Sequence, residues 1–167
     1  MSERVQHCFG PVFDPGSRVL ILGTMPSPES RRQGFYYSHP RNRFWPVMAE
    51  LFGAPMPVTP EERREFALAH GFALWDVLAA CEIDGASDAS IRQPEVNDIG
   101  LILDSAPINA VFTTGAKAAQ LYARYCLPQG LPQCIALPST SPANARMKQD
   151  ELVQAYSGIL KYIPKDR

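Results

Sequence analysis

Four short apolar runs constrain the fold of this chain more than any other feature: Val19-Leu20-Ile21-Leu22, Phe72-Ala73-Leu74-Trp75, Ile108 to Phe112 and Cys134-Ile135-Ala136-Leu137. Each is too short for a buried helix, and each ends at glycine, aspartate, threonine or proline followed by small polar residues. Runs of that kind are strands buried on both faces, as in a parallel sheet covered by helices.

Helical signals fill the intervals. Phe44, Val47, Met48 and Leu51 share one helix face, and Pro46 suits a first turn, so a helix starts near Arg43 to Trp45. Thr59-Pro60-Glu61-Glu62 has the form of a capping box with proline at the first helical position, and Gly71 follows His70 as a stop. Further helices are expected over Asp98 to Ser105, Ala116 to Tyr125, and about Ala145 to Ile163. The stretch up to Ser17 reads as an irregular arm. Strands alternating with helices predict an α/β, three-layer sandwich with a central four-stranded, mainly parallel sheet and helices on both faces. The 167 residues fit one domain spanning 1–167. In such sheets ligands bind where the strands end, so the segments 23–28, 76–81, 113–115 and 138–144 are expected to enclose the site.

Composition excludes some classes. The net charge of -1 advertises no nucleic-acid partner, so any DNA contact must come from a local patch. Cys8, Cys81, Cys126 and Cys134 are scattered with no C-x-x-C pair, which argues against structural zinc or a disulfide framework and for reduced thiols in a cytoplasmic protein. Neither a membrane-length apolar stretch nor a secretory pattern is expected.

One local patch stands out. Arg31 to Arg43 carries four arginines and His39, no acid, and Phe35, Tyr36 and Tyr37 among them. Basic residues interleaved with aromatics suit a phosphate backbone and an unstacked base; a solvated loop closing its aromatics over the core fits equally. Gly23 either lets backbone approach a ligand or makes an ordinary turn. Pro138-Ser139-Thr140-Ser141-Pro142 either holds a phosphate or caps a helix entry. Asn42 and Asp76 are compatible with simple caps.

Taken together, Gly23-Thr24-Met25-Pro26-Ser27, His39-Pro40-Arg41-Asn42-Arg43-Phe44-Trp45 and Leu137-Pro138-Ser139-Thr140-Ser141-Pro142-Ala143-Asn144 resemble the uracil-DNA glycosylase superfamily. The H-P-x-N-R-F-W string is similar to its mismatch-specific branch, and the whole set is most similar to the hypoxanthine-DNA (deoxyinosine) glycosylase family. The resemblance implies a monofunctional enzyme that flips a deaminated base, hypoxanthine first, out of DNA and hydrolyses its N-glycosidic bond without metal or cofactor, acting as a monomer. Some branches carry an iron–sulfur cluster, which the cysteine spacing here does not support. Residue by residue, the resemblance implies Asn42 as the catalytic residue. It implies Gly23, Thr24, Met25, Tyr37, Asp76 and Ser139 around the base. Tyr37 would stack on the base, and Asp76 would accept the N1–H of hypoxanthine. Ser27, Arg41, Ser141, Ala143, Asn144 and Arg146 would contact the DNA.

Three positions depart from the uracil-specific pattern. Met25 stands where those relatives have a water-activating aspartate, Ser139 where they have a base-contacting histidine, and Ala143 where they have a wedge leucine. Three readings therefore compete with a hypoxanthine glycosylase: a uracil or mismatch glycosylase, a damaged-DNA-binding module without catalysis, and a protein that binds free nucleobases.

Overall fold

The computed structural model describes residues 2–165. In chain order its elements are β1 (Glu3–Gln6), β2 (Val19–Gly23), α1 (Pro28–Gln33), α2 (Phe44–Phe52), α3 (Pro60–His70), β3 (Phe72–Asp76), β4 (Leu78–Asp84), β5 (Ser87–Val96), α4 (Gly100–Ser105), β6 (Ala110–Thr114), α5 (Ala116–Tyr125), β7 (Cys134–Leu137) and α6 (Gln149–Tyr156). Short 3-10 turns follow α5 at Leu127–Gln129 and α6 at Ser157–Tyr162.

The four apolar runs form one parallel sheet in the order β3-β2-β6-β7. Every residue of β2 and β3 is buried, which accounts for their unbroken apolar runs. From β2 the chain moves to the β3 edge, then crosses back to β6 and β7. The strand order thus reverses at the β2–β6 pair, and a crevice opens beyond the carboxyl ends of strands at such a point. Helices flank the sheet, as expected from the alternation of elements. Phe44, Trp45, Phe52, Phe66 and Phe72 form a packed aromatic cluster beside β3. The Thr59 capping box forms at the start of α3, and Gly71 closes that helix in the left-handed conformation, both as expected.

Three expectations require correction. The N-terminal stretch is not wholly irregular: β1 pairs antiparallel with β4, and Val12 bridges Leu74. Segment 76–81 is not simply a loop, because Leu78 opens a long β4–β5 hairpin that joins β1 in a second, three-stranded sheet. Repeated register shifts break the period-two pattern of β4, and β5 is polar and contains Pro94, so neither strand shows a clean sequence signature. Finally, the helix expected from about Ala145 to Ile163 is shorter. It begins at Gln149 and tightens into a 3-10 turn at Ser157-Gly158, two poor helix formers, with Ile159 still buried.

Candidate active site

The H-P-R-N-R-F-W segment folds as one compact device. His39 makes a tight turn: its carbonyl accepts from Asn42 N at 2.9 Å and its Nδ1 accepts from Arg41 N at 3.0 Å. Asn42 Oδ1 accepts from Phe44 N at 2.9 Å, a turn that leads into α2; the N-cap of that helix is Arg43, so the simple cap that Asn42 allowed in the sequence is not what forms. The Arg43 guanidinium donates to the carbonyls of Met147 and Asn144 at 2.6 and 2.8 Å, and Arg43 N donates to Thr140 O. Arg43 therefore ties the segment after β7 to the start of α2. Phe44 stacks on Tyr37 at 4.0 Å between centroids, and the buried Trp45 donates to Tyr36 O.

A cavity of about 340 Å³ opens at the carboxyl ends of β2, β3, β6 and β7, within the size range of small-molecule sites. Its walls come from 23–27, from Tyr36, Tyr37, His39, Arg41 and Asn42, from Asp76 and Thr114, and from 139–143. The four strand-end segments thus meet around one space. The structure brings Asn42, Gly23, Thr24, Met25, Tyr37, Asp76, Ser139, Ser27, Arg41, Ser141 and Ala143 to it. Asn144 and Arg146 are not among its walls. Asn144 is a loop fastener whose Nδ2 donates to Ser139 O at 2.8 Å, and Arg146 is exposed nearby in the chain.

The bond to Phe44 N orients Asn42. An amide oxygen that accepts a backbone N–H leaves the NH2 at the other end, and the Asn42 NH2 has no partner among the described residues. Tyr37 sits in the left-handed backbone region at φ 55, unusual for a bulky residue. Its ring is backed by Phe44 and its hydroxyl lies 3.2 Å from Thr114 Oγ1. Burial, then the Asp76 charge, pushes the Tyr37 phenol well above its ordinary pKa, so it stays protonated.

Asp76 is 3% exposed, with Oδ2 2.7 Å from His7 Nε2. A Cβ built on Gly23 would lie 2.5 Å from Asp76 Oδ1 and 3.3 Å from the Tyr37 hydroxyl. Only a residue without a side chain permits this approach. The serines are partly committed to their own loops: Ser27 caps α1, Ser139 Oγ accepts from Ser141 N, and Ser141 Oγ accepts from Ala143 N.

The basic strip is thinner than its sequence implies. Arg31 donates to Pro26 O and lies 3.8 Å from Glu3, Arg32 pairs with Glu29, and Arg43 is used internally. Arg41 remains exposed at the cavity, its guanidinium without a partner among the described residues. Phe35 closes over the core, while Tyr36, also buried, and Tyr37 reach the cavity wall.

Sequence reasoning missed His7 and the hairpin residues Ile83, Ala86 and Asp88, which also line or support the cavity, while Thr114 comes from the expected segment 113–115. For His7 a faint signal existed, since it continues the inward alternation from Val5.

The chain is similar to known proteins over most of its length. A family model described as the uracil DNA glycosylase superfamily matches residues 11–161. A hypoxanthine DNA glycosylase of Methanosarcina barkeri is 33% identical over 140 residues, covering 83% of this chain and 87% of the relative. One from Methanosarcina acetivorans is 31% identical over 148 residues, covering 87% and 92%. A solution NMR structure from Methanosarcina acetivorans, assigned provisionally as a uracil DNA glycosylase, superposes with a TM-score of 0.76 at 28% identity, over 96% of this chain and 99% of that one.

Proposed function

The chain belongs to the uracil DNA glycosylase superfamily, and we propose that it is a DNA glycosylase that removes hypoxanthine from deaminated DNA. The observation that carries this reading is the convergence of Asn42, Tyr37 and Asp76 on one cavity at the strand ends.

Chemistry at the sugar bond requires the base to leave the stack, at a cost of a few kcal/mol that is least for a mispaired base. In the cavity the base lies against the Tyr37 ring. Its lactam N–H meets the Asp76 carboxylate, which is buried in the wall. Hydrolysis breaks the C1′–N9 bond with its electron pair leaving on the purine. Water oxygen bonds to C1′, and its proton passes to the released base or to solvent. Positive charge builds on the sugar as the bond opens.

Asn42 acts through its free NH2, which donates to the water oxygen or to the acceptor edge of the base. A donor cannot take a proton from water, so catalysis here rests on orientation and on stabilising charge in the departing base. Met25 adds only apolar contact, and Ser139 lends its hydroxyl to the base or the adjoining phosphate. Arg41 meets the DNA backbone, with Arg146 as a more peripheral contact.

The test is alkaline cleavage of labelled oligonucleotides that each carry one hypoxanthine, uracil or xanthine. Fastest release from hypoxanthine is expected. Fastest release from uracil would reassign the substrate, and tight binding with no abasic product would make the protein a damage-binding module.

A further inference from the structure

His7 is a buried polar side chain that the scheme above leaves unused. It follows β1 directly, and its main-chain N–H donates to Ala79 O at 2.7 Å, which seats the arm on β4. Its side chain is 4% exposed and packs against Phe9 and Tyr36, with ring centroids 4.9 and 5.8 Å away. Nε2 lies 2.7 Å from Asp76 Oδ2, while the buried Nδ1 has no partner. That asymmetry assigns the proton. An orphaned N–H is rarer in folded proteins than an under-used lone pair, so Nε2 carries the hydrogen and donates to Asp76, and Nδ1 is left bare.

The two carboxylate oxygens of Asp76 are thereby made unequal. Oδ2 is held by His7. Oδ1 stands over Gly23, beside the Tyr37 hydroxyl, where these residues form the cavity wall.

We propose that His7 is a positioning residue that makes Asp76 a one-oxygen acceptor, so that the pocket takes a purine with a single lactam N–H and rejects its 2-amino analogue. The inference rests on the hypoxanthine reading. Hypoxanthine and guanine share O6, N7 and N1–H, and differ only in the 2-amino group of guanine. A carboxylate with both oxygens free accepts N1–H and N2–H side by side, the bidentate geometry that it also offers to arginine. With Oδ2 already held by His7 and drawn towards the arm, the guanine amino group meets a weaker, poorly aligned acceptor, a penalty that hypoxanthine never meets. Guanine is a normal base, so an enzyme that works along DNA needs this discrimination.

The experiment is single-turnover excision from hypoxanthine·thymine and guanine·thymine duplexes, which present both bases in mispairs. The wild type is compared with His7→Phe, which keeps a ring but drops the donor, and His7→Gln, which keeps a donor. The wild type should release hypoxanthine strongly over guanine. His7→Phe should shrink that ratio by about tenfold or more, and His7→Gln should restore most of it. A ratio unchanged within about twofold in folded His7→Phe overturns the proposal, as does a wild type that releases both bases equally. Should His7→Phe fail to fold, the His7 tautomer is read in the wild type by long-range ¹H–¹⁵N correlation. The Nε2–H form supports the proposal and the Nδ1–H form overturns it. A wild type that leaves hypoxanthine in place would sink the substrate reading instead, and the tautomer would still decide whether His7 donates to Asp76.

Discussion

Under the proposed function, Asn42 would serve structure and chemistry with one side chain. Its oxygen holds Phe44 N at the start of α2, which leaves the NH2 for the cavity. Asn42→Ala is expected to cut single-turnover excision by about 10², the loss typical of one preorganised donor. Loss of the Asn42–Phe44 hydrogen bond should cost about 1 kcal/mol in urea denaturation, too little to explain such a fall by unfolding. Near-normal excision would remove Asn42 from the mechanism. Gly23 makes the complementary case. Its missing side chain is what lets Asp76 Oδ1 stand at the wall, since a Cβ would come within 2.5 Å of that oxygen. Gly23→Ala should therefore displace the carboxylate and depress excision while circular dichroism stays native; unaltered rates would show that Oδ1 does not read the base. Neither role is legible at Gly23 or Asn42 alone, where a turn and a cap explain the residue equally well.

At the scale of elements, α3 offers a cleaner experiment than the site does. Glu62 accepts from Thr59 N at 3.0 Å and from Val58 N at 2.9 Å, closing the capping box. The Thr59 N–H first, then the Val58 N–H, lowers the Glu62 pKa below its ordinary value. A carboxyl whose folded pKa is depressed contributes stability that is present above its unfolded pKa and lost as pH falls through the folded one. Glu62→Gln should flatten that part of the acid-side stability curve, measured by urea denaturation at a series of pH values. A curve identical to the wild type would mean the Glu62 charge contributes nothing, since glutamine can still close the box. This element was readable because capping is local: every partner lies within four residues. The β4–β5 hairpin was not, because its bulges destroy the two-residue period and its second strand buries little. It nevertheless supplies Ile83, Ala86 and Asp88 to the cavity.

For the molecule as a whole, the question is how a chain of net charge -1 engages a polyanion. Internal pairing consumes Arg31, Arg32 and Arg43, so few cations are left to meet phosphates near the cavity. Arg41→Ala should weaken DNA binding and reduce the slope of log K against log salt by about 0.9, one counterion's worth. Arg32→Ala, whose charge is already paired with Glu29, should leave the slope nearly unchanged. Fluorescence anisotropy over a salt series measures both, and equal slopes for the wild type and Arg41→Ala would exclude Arg41 from the backbone contact.

What the sequence by itself determined was whatever depends on near neighbours or on complete burial. Unbroken apolar runs placed the sheet, capping residues placed α3, and the strand-end rule placed the cavity. Only the tertiary structure decided which polar groups remain available inside it. Arg43, one of the four arginines of the basic-aromatic segment, is a tie to 144–147, while Asn42 holds Phe44 N with its amide oxygen and lines the cavity. His7 met Asp76 across 69 positions of chain. Hydrogen bonds over such separations leave no periodic trace in the sequence, because their partners are brought together by the packing of elements rather than by spacing along the chain.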